Sequence, residues 1–251
     1  MADVMGVIAR SSVMRLPYVR LLVAAADPES LITLRHTHHY VFAYSYADVG
    51  TIPGFGIARK QTSLIDLTPS TDEILKTFRP NTRNEIRKTL RNDTVQIVAD
   101  DVNRDASVAF YCDAKRQVHV RPDVRGDFAT CRFFNAYENN RLIASVSCYD
   151  SGEFLRLKHI VSLRKLEGID ARQIGYATRR LVWEICLFGK SHGYAHIDLG
   201  GIDLEDAEKR GVATFKQSFQ GTLAEVMVYR SSSRLFRVAQ RATALVGRTV
   251  F

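Results

Sequence analysis

CRFFNAYENNRLIASVSCYDSGEFLRLKHIVSL, residues 131–163, is followed at 170–194 by DARQIGYATRRLVWEICLFGKSHGY and at 195–199 by AHIDL. The turn signals ENN and DSGE cut the first segment into strands. The second is amphipathic along its length and ends near Gly193, which predicts one long helix. The third is a short strand. EDAEKRGVATFKQSF (205–219) then reads as a loop and a helix, and TLAEVMVY (222–229) as a final strand. Antiparallel strands, a long helix, a strand, a helix and a strand make an α+β (α/β) fold with a mixed sheet.

Working outward, residues 1–60 read as short strands with turns, from RLPYVRLLVAAA and HHYVFAYSYADV to the loop GTIPGFG. SLIDL (63–67) alternates like a strand. Ser70 and Glu73 form a capping box that opens a helix, which Pro80 breaks. Thr82 and Glu85 form a second capping box, opening a helix to about Arg91. TVQIV (94–98) is again a strand, and residues 104–119 are helical. The tail SSSRLFRVAQRATALVGRTVF (231–251) is a basic amphipathic helix, with Arg234, Arg237 and Arg241 flanking Leu235, Val238, Ala242 and Leu245.

Over 251 residues, 46% hydrophobic and 25% charged residues describe a soluble globular chain able to bury a core. Lys plus Arg exceed Asp plus Glu by 35 to 27, a net charge of +8 that points to a polyanionic partner. Cys112, Cys131, Cys148 and Cys186 are dispersed and form no C-x-x-C, so they read as reduced, mostly buried thiols. Arg10, Arg15 and Arg20 interrupt the apolar stretches near the start, and no apolar run approaches the ~20 residues of a membrane span. These features place the protein in the cytoplasm. His36–His39 has no companion Cys or carboxylate at ligand spacing, so no metal is expected. Walker, G-x-S-x-G and zinc patterns are absent from the sequence.

Arg83, Arg87 and Arg91 recur every fourth residue and share one helix face, beside Lys88. They read either as a solvated face or as a rail for phosphate groups, which arginine forks bind bidentately. ARQIGYA holds Arg172, Gly175 and Ala177 at the spacing R/Q-x-x-G-x-G/A, at the opening of the long helix. A glycine there lets a backbone approach a ligand, and exposed N–H groups at a helix start favour phosphate.

This arrangement of strands, loop and helix resembles the GNAT acyltransferase superfamily, whose corresponding loop cradles the pyrophosphate of coenzyme A. SLIDLTPSTDEILKTFRPNTRNEIRKTLRNDTVQIV and GYAHIDLGGIDLEDAEKRGVATFKQSFQG resemble segments of Fem-type peptidoglycan aminoacyltransferases, which are built from GNAT-like domains. The two resemblances together cover roughly residues 61–230. They imply a GNAT-like, mostly antiparallel twisted sheet flanked by helices. They also imply a shortened N-terminal GNAT-like half with its basic helix at 1–100, an acyltransferase core at 101–230, and the helix 231–251.

The resemblance implies an N-acyltransferase moving an acyl group from acetyl-CoA or another acyl-CoA to an amine, on an amino sugar or a cell-wall or polysaccharide precursor. Arg172, Gln173, Ile174, Gly175, Tyr176 and Ala177 would hold the phosphorylated donor. Arg83, Arg87, Arg91 and Phe215 would contact substrate. Lys216 lies beside Phe215 at the expected transfer centre, where a cation can stabilise the oxygen that turns negative as an amine attacks a carbonyl; the plainer reading is a surface lysine whose stem covers an aromatic face. Asp198, at a strand end, would orient the amine or act as base, or else cap the turn at DLGG. His159, on the strand before the phosphate loop, would accept the amine proton, or else be a satisfied half-buried histidine. An aminoacyl-tRNA donor and a non-catalytic binding module for an anionic glycan or nucleic acid remain open. So does contact of the tail helix with the inner face of a membrane.

Overall fold

The computed structural model describes residues 6–91, 94–120, 122–123, 125–163, 169–203 and 210–245. In chain order they form β1 (Val7–Val13), β2 (Leu16–Ala25), α1 (Pro28–Thr37), β3 (Tyr40–Ala47), β4 (Gly56–Asp66), α2 (Thr71–Thr77), α3 (Pro80–Leu90), β5 (Val95–Val98) and α4 (Arg104–Gln117). There follow β6 (Cys131–Glu138), β7 (Arg141–Asp150), β8 (Leu155–Ser162), α5 (Ala171–Ser191), β9 (His196–Gly201), α6 (Arg210–Gln217), β10 (Thr222–Ser232) and α7 (Arg234–Leu245). Most of the loop read before α6, the side chains of 243–245 (Leu245 included) and residues 246–251 lie outside the described residues.

The strands make one ten-stranded sheet in the order β1-β2-β3-β10-β4-β9-β8-β7-β6-β5. Neighbours are antiparallel except β2–β3 and β8–β9. A parallel pair needs a crossover, which α1 and α5 supply. Strand β10 inserts between β3 and β4, so the sheet continues from residues 1–100 into 101–230. The ENN turn joins β6 to β7 with Asn139 and Asn140 at φ 52° and 60°, the left-handed pair that suits a tight hairpin.

Alternation along the strands assigns the helices to faces. Val41 and Ala43 pack with Leu31 and Leu34 of α1, while Tyr40 and Phe42 between them pack with Phe236 of α7. Phe134 lies in the core that α5 fills, and its neighbour Phe133 lies in the core that α4 fills. Tyr44 joins the α4 and α7 cores, so these two helices cover one face and α1 and α5 the other.

Two local expectations change. Residues 1–60 contain a helix, α1, where strands and turns were expected. Asp27 caps it by accepting from Ser30 N at 3.0 Å, and Pro28 occupies its first turn. Only Leu31 and Leu34 are buried on it, too few apolar positions to show a period. Pro80 opens α3 rather than merely ending the helix before it, because the first turn of a helix needs no donor from proline. Thr82 is therefore a buried interior residue and not a cap, whereas the Ser70–Glu73 capping box forms with both of its bonds.

Phe219 is fully buried, with ring centroids 5.1 Å from Phe78 and 5.2 Å from Phe215. It anchors the turn after α6 to the core beneath α5. Phe219→Ala should cost about 3–5 kcal/mol, the usual range for truncating a buried aromatic. A urea denaturation midpoint within error of the wild type would refute that anchoring.

Candidate active site

β8 and β9 pair in parallel only at Leu155–Ile197 and Arg156–Asp198, although β8 runs on to Ser162 and β9 to Gly201. A cleft of about 920 Å³ opens where this pairing ends. Clefts at the carboxyl ends of parallel strands are where α/β sheets gather ligands. β8 lines it with Leu157 to Ile160 and Ser162, and β9 with Leu199. The start of α3, Thr178 and Arg179 of α5, and Phe215, Lys216 and Ser218 in and after α6 complete the wall. Among the described residues its lining carries Arg79, Lys115, Lys158, Arg179 and Lys216 against the single carboxylate of Glu85.

Lys216 is half-buried, and its Nζ donates to the Gly201 carbonyl at 2.8 Å. That carbonyl is placed by the DLGG turn, where Gly200 takes φ +79° and its N–H donates to Asp198 Oδ1 at 2.6 Å. A Cβ on Gly200 would come 3.2 Å from the Leu157 carbonyl and 3.3 Å from Lys216 Nζ, so glycine is needed for both conformation and space. Burial, reinforced by the positive charge of Arg156 and partly opposed by Asp198, pulls the Lys216 ammonium down to a pKa of about 8. The group is thus mostly charged at neutral pH but close to losing its proton.

Asp198 does not fit the base expected from the sequence. It is fully buried, and its oxygens accept from Arg156, Thr62, Gly200 N and, at 2.5 Å, Tyr46. A carboxylate so saturated holds its geometry and has no spare acceptor for a substrate proton. Arg156 is equally buried and lies 4.3 Å over the Tyr44 ring. Burial opposes its charge, but Asp198 together with Tyr44 and Tyr46 outweighs that and keeps the guanidinium protonated.

His159 borders the cleft, with Nε2 2.9 Å from Asp123 Oδ2. Burial lowers its pKa despite the pull of Asp123, so the imidazole is neutral at pH 7. Phe215 is half-buried in the wall, 5.4 Å beneath the guanidinium of Arg179. Arg179 Nε in turn sits 2.7 Å from Glu85 Oε2, an ion contact without hydrogen-bond alignment.

The two basic motifs lie elsewhere. Residues 172–177 are not a loop: α5 begins at Ala171, capped by Asp170, whose Oδ1 accepts from Arg172 N at 2.9 Å. Ile174 and Ala177 are buried core residues, Arg172 is exposed, and Tyr176 lies under Lys88 at 5.2 Å. The motif thus forms the opening turns of the helix, and Arg172, Gln173 and Tyr176 border a smaller hollow with Lys88, apart from the cleft. Gln173 and Gly175 are half-buried on the same turns. Arg83 donates to the Lys76 carbonyl at 2.8 Å, while Arg87 and Arg91 point to solvent, and none of the three lines the cleft.

Arg79, Lys115, Lys158 and Arg179 were missed. Arg179 and Arg180 look alike in sequence, yet a step of ~100° along the helix sends Arg179 to the cleft and Arg180 to Glu184. Arg156 carried a fainter signal, a charge set between Leu155 and Leu157.

No protein-family model and no curated protein sequence matches this chain. Solved structures do. FemX superposes with a TM-score of 0.60 at 11% identity over 98% of this chain and 88% of its own. The C-terminal domain of a protein described as a lysylphosphatidylglycerol synthetase, from Agrobacterium fabrum, superposes at 0.55 and 11% identity, over 94% of this chain and 84% of that one. L-PGS from Bacillus licheniformis superposes at 0.51 and 13% identity, over 92% and 83%. At such identities the likeness establishes the fold alone, the mixed, mostly antiparallel α+β sheet expected from the sequence and shared with FemX.

Removing one member of a buried ion pair leaves the other charge stranded, at a cost of about 3–5 kcal/mol. Asp198→Asn should therefore lose stability of that order in urea. The paired replacement Arg156→Met with Asp198→Leu should regain more than half of it. A single variant as stable as the wild type would disprove the pairing.

Proposed function

We propose that the chain is an N-acyltransferase in which an activated, phosphorylated acyl donor and an amine acceptor meet in the cleft between β8, α3, α5 and α6. The observation that carries this reading is Lys216, a cation fixed at the cleft wall by the Gly201 carbonyl and backed by the buried Arg156–Asp198 pair. As the amine nitrogen attacks the acyl carbon, the carbonyl oxygen gains negative charge, and a preplaced ammonium stabilises it without reorganisation. His159, neutral at the same wall, supplies a base within the cleft. The surplus of cations along the wall suits the donor's phosphates.

In the first reading the donor is acetyl-CoA or another acyl-CoA, and the acceptor an amino sugar or a cell-wall or polysaccharide precursor. One observation favours aminoacyl-tRNA instead: residues 172–177, the expected pyrophosphate cradle, lie outside the cleft that holds Lys216. The fold shared with FemX and with proteins named for lysylphosphatidylglycerol synthesis agrees with that donor. A ligand that binds the native state raises its melting temperature. Stabilisation by acetyl-CoA supports the first donor and by aminoacylated tRNA the second; stabilisation by neither supports a non-catalytic module.

Helix α7 supports a contact with an anionic membrane surface in this reading. Phe236 and Ala239 bury one side of it against the sheet, while Leu235 and Val238 stay 64% exposed beside Arg234, Arg237 and Arg241. An apolar stripe flanked by arginines, with no acidic residue on the helix, is the make-up of an interfacial helix. Among the described residues no helix is long and apolar enough to cross a membrane. Leu235→Asn with Val238→Asn leaves the buried side untouched and should abolish co-flotation with phosphatidylglycerol vesicles. Flotation equal to the wild type would reject the contact.

Lys216→Met should lower turnover by about 10²–10³-fold, the usual loss for one oxyanion donor, with donor affinity nearly unchanged. Since the ammonium deprotonates near pH 8, wild-type turnover should also decline as pH rises through that value. Lys216→Arg, always charged, should recover part of the rate and abolish that decline. Full turnover by Lys216→Met would reduce Lys216 to a wall residue and remove the basis of the proposal.

A further inference from the structure

Successive residues of a regular strand point to opposite faces of the sheet. Lys158 and His159 break that rule. The register of β8 against β7 passes from Cys148–Leu157 to Ser147–His159, so Lys158 is the extra residue of a bulge. Bulges re-aim side chains, and they are over-represented next to active sites. Here the bulge brings both side chains to one carboxylate, with Lys158 Nζ 3.2 Å and His159 Nε2 2.9 Å from Asp123 Oδ2. Both also rest on Phe128, the ammonium 3.9 Å from the ring centre and the imidazole 5.8 Å. Tyr111 closes the cluster: its ring lies 4.4 Å from the imidazole, and its hydroxyl accepts from Asp123 N at 3.2 Å.

The side chain of Lys158 is only 4% exposed, and its Nζ also donates to the Asp127 carbonyl at 2.7 Å. Against the effect of burial, His159 and Lys158 hold the Asp123 carboxyl far below the usual carboxylate range, so it is ionised. An ionised carboxylate only accepts hydrogen bonds. The imidazole facing it must therefore carry its proton on Nε2, and a neutral imidazole has no second proton for Nδ1. Nδ1 has no partner among the described residues, is not sealed from solvent, and belongs to a ring that lines the cleft.

We propose that Asp123, steadied by Lys158, is a positioning residue for His159: it takes the Nε2–H and leaves Nδ1 as the base that receives the acceptor's proton. The tautomer rests on this geometry; its use in catalysis rests on the acyltransferase reading above. Nδ1 removes a proton from the amine as the N–C bond forms and the carbonyl electron pair moves to oxygen beside Lys216. When the carbonyl re-forms, the bond to the donor's sulfur or ribose oxygen breaks and its electron pair stays with that atom. The imidazolium then returns its proton there, leaving His159 neutral and the amide complete.

The charged groups around His159 act in opposite senses. Asp123 favours its protonated form, while Lys158 and Lys115 oppose it; Tyr111 and Phe128 are uncharged neighbours. Ring-nitrogen NMR of histidine-labelled full-length protein, with His159→Gln assigning the signals, should find the Nε2–H tautomer. Asp123→Asn should then lower the His159 pKa, and Lys158→Met should raise it. With whichever donor is turned over, Asp123→Asn should also lower kcat by about 10²-fold, the scale of a lost general base, with KM little changed, and should move the acid limb to lower pH. An Nδ1–H tautomer in the wild type, or pKa shifts of the same sign in the two variants, would overturn the proposal. Should Asp123→Asn fail to fold, the sign of the Lys158→Met shift decides alone. Absence of turnover with either donor, alongside the expected tautomer, would count against the acyltransferase reading and leave the positioning geometry standing.

Discussion

Arg156 and Asp198 are register partners across the parallel pair β8–β9, and both are buried. Neither charge could stay in the sheet interior alone; together they pair, Tyr46, Thr62 and Gly200 N complete the carboxylate's shell, and the guanidinium lies over the Tyr44 ring. The pair marks where the two strands stop running together. It fixes the left-handed Gly200 turn through the Asp198 carboxylate, and that turn presents the carbonyl on which Lys216 rests. The positive charge of Arg156 also helps lower the proton affinity of Lys216. One buried ion pair thus sets the position of the lysine and part of its electrostatics.

The chemistry of the cleft comes from irregularities in an otherwise ordinary sheet. Two parallel strands that part after two residue pairs leave a wedge, and a bulge on one of them turns Lys158 and His159 toward the same carboxylate. In the proposed reading Arg79, Lys115 and Arg179 serve the polyanionic donor, and Lys216 and His159 the transfer itself. The continuous sheet holds these elements in register, because β10 ties the start of the chain to its end.

Much of the fold was legible because burial imposes a period. β6, β7, β8, α5 and β9 follow from turn signals and from apolar spacing strong enough to survive without any tertiary information. Helix α1 was not legible, since only two buried leucines mark it and its start signal, Asp27–Pro28, lay between apolar strands. At the site, Lys216, Phe215 and His159 stood out through residue type and neighbours, and they do line one cleft. Asp198 stood out as well, but a residue's type does not reveal how many donors surround it, and here they occupy both oxygens.

The sequence by itself determined the α+β class, the element order across residues 131–232 and the chemical character of the chain, because each depends on local pattern or on composition. Which charges meet was decided only by the tertiary structure. Arg156 lies 42 residues from Asp198, and His159 lies 36 from Asp123. Strand register and a one-residue bulge bring these groups within bonding distance, and the same packing carries the arginine stripe of α3 and residues 172–177 out of the cleft. Electrostatic energy falls with distance and rises with burial, and neither quantity is written along the chain.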